Sequence, residues 1–196
     1  MQRLNISILF ASLVALSACE TLPAPSAASV DPTYEQAAAS QFRAANYAAT
    51  DALLKSYVEP ASTNNRSGAA TSAPFLVATL AQIDRLEQSS TFGRIISEQI
   101  VSRLTQGGVR VVEMKLRNGV YMKRNEGEFM LTREIREVAN AHQAQAVVIG
   151  TYAESASMVH VSLKLVDPSS SLILAAHDYA LPMDRQVRSM LRKSLY

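Results

Sequence analysis

Only one cysteine occurs among the 196 residues, and tryptophan is absent. A lone thiol excludes an internal disulfide framework, a redox dithiol and a zinc knuckle. An excess of charge of one sign is also missing: 19 Lys and Arg stand against 17 Asp and Glu, for a formal charge of +2. That balance supplies no field for nucleic acid. Aromatic residues make up 6% of the chain and do not interleave with the basic ones, so there is no stacking platform. His142, His160 and His177 stand far apart, and HExxH, HxH and CxxC spacings are absent. No metal site and no cofactor are therefore expected. There is no P-loop, and Gly107-Gly108 reads as a helix stop, not a dinucleotide fingerprint. No serine sits in GxSxG, so no catalytic residues are assigned. A hydrolase would need serine, histidine and acid gathered from remote positions. His160 and His177 fall on neighbouring expected strands, within reach of each other, although solvated surface histidines are the commoner case.

Long apolar runs are missing as well. The longest mostly apolar stretch, Ile6 to Leu16, follows the sole charge Arg3 and spans about eleven residues, half of the ~20 that a membrane span needs. It has the length of a signal-peptide core. It ends in Leu16-Ser17-Ala18-Cys19, the pattern of a bacterial lipobox, and the only cysteine falls at the position that is acylated. Residues 1–18 are expected to be removed and Cys19 to carry the lipid. Several buried acyl chains, at roughly 0.8 kcal/mol per CH₂, form a stable anchor. Glu20 follows the cysteine where an aspartate would favour the inner membrane, which points to the outer membrane.

The remainder divides by composition. Residues 19–31 hold two prolines and many small residues and read as a lipidated flexible tether. Residues 32–59 carry Tyr34, Ala38, Phe42, Ala45, Ala49, Leu53 and Tyr57 at steps of three and four, the stripe of one amphipathic helix, with Asp31 as its cap and an end before Pro60. Such a helix can lie on its own domain or dock on a neighbouring subunit. Residues 60–73 lack large apolar side chains and form a linker.

From residue 74 to 196 the pattern is that of an α+β domain. Phe75 to Leu80 is a buried strand. A helix capped by Ser89, Ser90 or Thr91 presents Phe92, Ile95, Ile96, Ile100, Val101 and Leu104, and a second strand covers Val109 to Met114. Together they make a βαβ unit. Residues 115–131 are irregular. A second helix begins near Thr132 with Ile135, Val138 and Ala139 inward. Strands follow at Ala146–Tyr152, at Val159–Leu165 (alternating, with the character of an edge) and at Leu172–Ala180, and a final helix at 184–195. The expected fold is a five-stranded mixed sheet with two main helices on one face, preceded by the N-terminal amphipathic helix.

Several charged residues invite a functional reading. Glu126 and Glu128 suggest paired carboxylates only if they lie on a strand; in a loop, ion pairing is the simpler role. Arg117, Tyr121, Arg124, Glu128 and Phe129 form a mix that suits a protein interface, although Tyr121 and Phe129 suit a core equally well.

The segments Leu116-Arg117-Asn118-Gly119-Val120-Tyr121 and Gly127-Glu128-Phe129-Met130-Leu131-Thr132-Arg133-Glu134 resemble the signature of the FlgO-type flagellar outer-membrane lipoproteins. Ser90-Thr91-Phe92-Gly93-Arg94, Gly150-Thr151-Tyr152 and Ala176-His177-Asp178-Tyr179 match in the same order, so the resemblance covers about residues 74–186. It implies a non-enzymatic lipoprotein needed for stable flagella and motility. It also implies ring proteins of the flagellar basal body as partners. Outer-membrane lipid is the partner expected of acylated Cys19, and confinement to a membrane together with the extra amphipathic helix and short sheet edges suits a homo-oligomer within a ring. The alternative is a periplasmic module that contacts peptidoglycan or an envelope machine without flagellar duty.

Overall fold

The computed structural model describes residues 33–57, 73–86, 88–113 and 133–192. Cys19 and all five interface candidates, Arg117, Tyr121, Arg124, Glu128 and Phe129, lie outside them.

The expected single N-terminal helix is two helices. Helix α1 (Tyr34–Ala38) starts at a capping box, in which the Thr33 hydroxyl accepts from the Gln36 amide and the Gln36 side chain accepts from the Thr33 amide at 3.0 Å. Helix α2 (Gln41–Ser56) restarts at Ser40, whose hydroxyl accepts from the Arg43 amide. A serine that caps a new first turn competes with continuation of the old one. The apolar stripe is therefore buried only from Phe42 onward, and Tyr34 is 97% exposed. Asp31, the expected cap, lies outside the described residues.

Strand β1 (Phe75–Val77) is shorter than its apolar run, because the chain leaves the ladder after Ala78 and returns as β2 (Ala81–Gln82) beside the later strand β4. Ser97 bridges the crossing: its hydroxyl accepts from the Leu80 amide at 3.0 Å and donates to the Gly93 carbonyl at 3.0 Å. Helix α3 (Thr91–Gln106) buries Phe92, Ile96, Ile100 and Leu104. A Cβ on Gly93 would stand 2.5 Å from the Leu80 carbonyl oxygen, so this contact requires glycine. The helix ends at Gly107, and Gly108 takes a φ of +81° that other residues avoid. Strand β3 (Val111–Glu113) then pairs parallel with β1, which completes the βαβ unit.

Helix α4 (Arg133–Ala141) precedes β4 (Ala146–Glu154), β5 (Met158–Val166) and β6 (Ile173–Pro182), and α5 (Arg185–Leu191) follows. The sheet runs β3-β1-β4-β5-β6 with β2 added beside β4, six strands in all. The first three strands of that order are parallel, and β4-β5-β6 is an antiparallel meander. Strand β5 is thus interior, not an edge; its alternation arises because one of its two faces is open to solvent.

The helices do not share a face. Phe75, Val77, Ala146, Val148 and the inward residues of β5 pack with α2, α3 and α5, whereas Leu76, Val147 and Ile149 pack against Ile135 and Ala139 of α4 on the other side. Parallel strands apolar on both faces need cover on both.

Candidate functional site

Helix α4 covers only the parallel half of its face. On the antiparallel half, cross-strand register sets Ala153, His160 and Ala180 in one row and Thr151, Ser162 and Asp178 in the next. These residues, with Ile83 at the border, line a depression of about 570 Å³. Alanines keep its floor low, and hydroxyls, an imidazole and a carboxylate supply hydrogen-bonding groups. Thr151 is among the buried polar residues of the described part. Although Ser162, His160 and Asp178 are neighbours, among the described residues no hydrogen bond joins Ser162 to either of them. The depression thus offers separate hydrogen-bonding groups over a low floor.

His177 does not approach His160. His160 pairs with Ala180, and His177 pairs with Leu163 on the opposite face, where its ring stacks at 6.3 Å on Tyr179. His142 follows the last residue of α4 and is exposed. No group of three metal-ligating side chains occurs among the described residues, and none of their helices is long and apolar enough to cross a membrane.

A second polar constellation lies under α2. Asn46 is fully buried; its Nδ2 donates to Gln99 Oε1 at 2.7 Å, and its Oδ1 accepts from the Tyr179 hydroxyl at 2.6 Å. Burial pushes the Tyr179 phenol well above the usual tyrosine range. Arg103 of α3 forms a bidentate pair with Asp51 of α2 at 2.7 and 2.6 Å, and its hydrogen bond holds the Asp51 carboxyl below the usual value. These contacts seat α2 on its own domain. Sequence reasoning passed over Asn46, although an asparagine one turn from both Phe42 and Ala49, on the apolar stripe, was a visible signal.

The architecture is that of a small α+β domain with a mixed sheet, fully covered on one face and half covered on the other. The chain belongs to the FlgO family: the model of the FlgO protein family matches residues 39–186, from just before α2 to the first residues of α5. The match takes in α2, beyond the 74–186 span legible from the motifs. Among curated proteins compared by sequence, none matches. Among solved structures, the chain is similar to the LpoB C-terminal domain from Salmonella enterica, with 11% identity, 72% of this chain and 98% of that chain covered, and a TM-score of 0.46. It is also similar to the PelC dodecamer from Paraburkholderia phytofirmans, with 16% identity, coverage of 60% and 78%, and a TM-score of 0.39. The lipoprotein GNA1162 from Neisseria meningitidis matches at 15% identity, coverage of 59% and 84%, and a TM-score of 0.40. Likeness at these scores carries no functional argument.

Proposed function

We propose that this chain is a non-enzymatic lipoprotein, held at the outer membrane by acylated Cys19, that takes part in assembly of the flagellar basal body and its outer-membrane rings and so in flagellar stability and motility. The observation that carries this reading is the family match over residues 39–186. The Leu16-Ser17-Ala18-Cys19 pattern supports the anchor. Confinement to a membrane plane raises the effective concentration of one copy near another, which favours a ring of repeated subunits. Arg117, Tyr121, Arg124, Glu128 and Phe129 are the residues proposed to contact ring proteins, because arginine and aromatic side chains are enriched at interface centres.

The depression on β4-β5-β6 favours a second reading, a module that binds peptidoglycan or an envelope assembly without flagellar duty. Its volume of about 570 Å³ lies within the usual span of ligand sites.

A clean deletion, complemented in trans, separates the two. The flagellar reading expects fewer or unstable flagella, reduced swimming and loss of ring density at the outer membrane by in situ imaging. Unchanged rings, flagella and swimming would overturn it and leave the binding module. Labelled peptidoglycan fragments titrated against the wild type and Asp178→Ala then test that reading.

A further inference from the structure

We propose that the free edge of β6, together with the alanine flank of α2 above it, is the docking surface for a second copy of this chain, which adds its own β6 antiparallel about His177. The proposal deepens the assembly reading above and rests on it.

Strand β6 is the last of the sheet, and β5 is its one partner among the described residues. The Met183 amide donates to the Ser157 carbonyl at 2.8 Å, which sets the phase of the ladder. Hydrogen-bonded pairs alternate along an antiparallel ladder, so Ala175, His177, Tyr179 and Leu181 turn their backbone groups toward β5. Ala176, Asp178 and Ala180 turn theirs outward, away from the sheet. At the opposite end of the described strand order, β3 is only three residues long. Strand β6 has ten residues, contains no lysine and has its one proline at the last position. Among the described residues, the register irregularity opposite Leu165 and Val166 and the end proline both lie at the ends of β6 and leave its middle unprotected.

The side chains fit a second copy of the same strand. Pairing about His177 sets the small Ala175 opposite Tyr179 of the second copy and Ala176 opposite its Asp178. The two carboxylates are then not directly opposed, and large residues meet small ones. Leu172 and Ile173, 65% and 55% exposed, lie at one end of β6. They come beside the Leu181-Pro182 end of the second copy, so exposed apolar area meets apolar area.

Helix α2 continues the same surface. Asn46 and Asp51 bond to Gln99 and Arg103, so that side of α2 is turned to α3. At ~100° per residue, Ala45, Ala48 and Ala52 lie on the opposite flank, toward the free edge of β6. A twofold axis at His177 brings the alanine flanks of both copies together, where side chains of a single methyl group let two helices approach closely. Larger residues there would hold the strands apart.

The test is a symmetric cross-link in the full chain, expressed in cells and oxidised in its membranes with copper phenanthroline. His177 pairs with itself at a non-hydrogen-bonded site, where Cα atoms stand ~4.5 Å apart, within disulfide reach. His177→Cys is expected to give a disulfide-linked dimer that the wild type does not. Adding Ala176→Pro removes an outward amide and no bond to β5, and is expected to cut the dimer at least tenfold. Ala48→Glu, on exposed helix surface, is expected to do the same without touching the strand. A His177→Cys protein whose domain resists protease yet gives no dimer would overturn the proposal, as would a dimer that survives both added substitutions. The flagellar and lipid readings fail on different results, the deletion phenotype and the acylation of Cys19.

Discussion

The Tyr179 hydroxyl on β6 donates at 2.6 Å to Asn46 Oδ1 on α2, joining positions 133 residues apart in the chain. Asn46 sits within an otherwise alanine-rich helix, and its second bond, to Gln99, ties α2 to α3 as well. One buried amide thereby fixes the rotation and height of α2 over both the sheet and its neighbouring helix. Apolar contacts with alanines alone would permit α2 to slide.

Tyr179→Phe leaves a buried acceptor on Asn46 without its donor. A loss of ~1–3 kcal/mol is expected by urea denaturation. Because burial raises the folded-state pKa of Tyr179 from its ordinary 10.0, its contribution is complete below pH 10 and falls as pH rises further, since the unfolded chain ionises first. The alkaline limb of the stability profile should therefore be shallower in Tyr179→Phe. Identical profiles for both proteins would contradict the assignment.

Ile100 is fully buried at the centre of α3. Ile100→Ala is expected to cost ~2–5 kcal/mol through the cavity it leaves. Ile100→Asp places an unpaired charge in the core and should prevent folding. A purified Ile100→Asp protein with a wild-type melting curve would show that α3 is misassigned.

Asp167 organises the β5–β6 turn. Its carboxylate accepts from the Ser169 and Ser170 hydroxyls, each at 2.7 Å, and from the Ser169 amide at 2.8 Å. The Ser169 hydroxyl, then Ser170, lowers the carboxyl below its ordinary 3.8. A depressed folded-state pKa stabilises above the unfolded value and is lost as pH falls through the folded one. Part of the acid destabilisation below about pH 4 should accordingly disappear in Asp167→Asn. Thermal melts from pH 2 to 7 measure this, and parallel curves for both proteins would refute it.

Cys19→Ser should abolish acylation and release the protein from the membrane fraction. The domain begins well beyond that residue, so circular dichroism and melting temperature of the purified protein should be those of the unlipidated wild-type domain. Metabolic labelling with a fatty acid is the direct readout. A variant still labelled and still sedimenting with membranes would end the lipoprotein reading.

How far the sequence alone determined this protein follows from the range over which each signal acts. The α3 stripe from Phe92 to Leu104, the glycine stop at Gly108 and the alternation along β5 depend on a few residues of local geometry, and each stands in the structure where the periodicity puts it. The signature residues near Arg117 and Glu128 and the strand pieces through Tyr179 likewise sufficed for the family. Other features were decided by pairing across the chain. Strand β5 reads as an edge because half its residues are polar, yet it is interior: polarity reports an open face, and only register reports a missing neighbour. The apolar runs of β1 and β4 suggest both main helices on one face, whereas Leu76 and Val147 meet Ile135 on the face opposite Phe75 and Ile100. His160 and His177 stand in cross-strand rows three residues apart, an odd step that turns them to opposite faces and that no spacing rule reveals. Asn46 was legible as a polar residue on an apolar stripe, but its partners Gln99 and Tyr179 were not, because hydrogen bonds between distant segments leave no periodicity in the sequence that makes them.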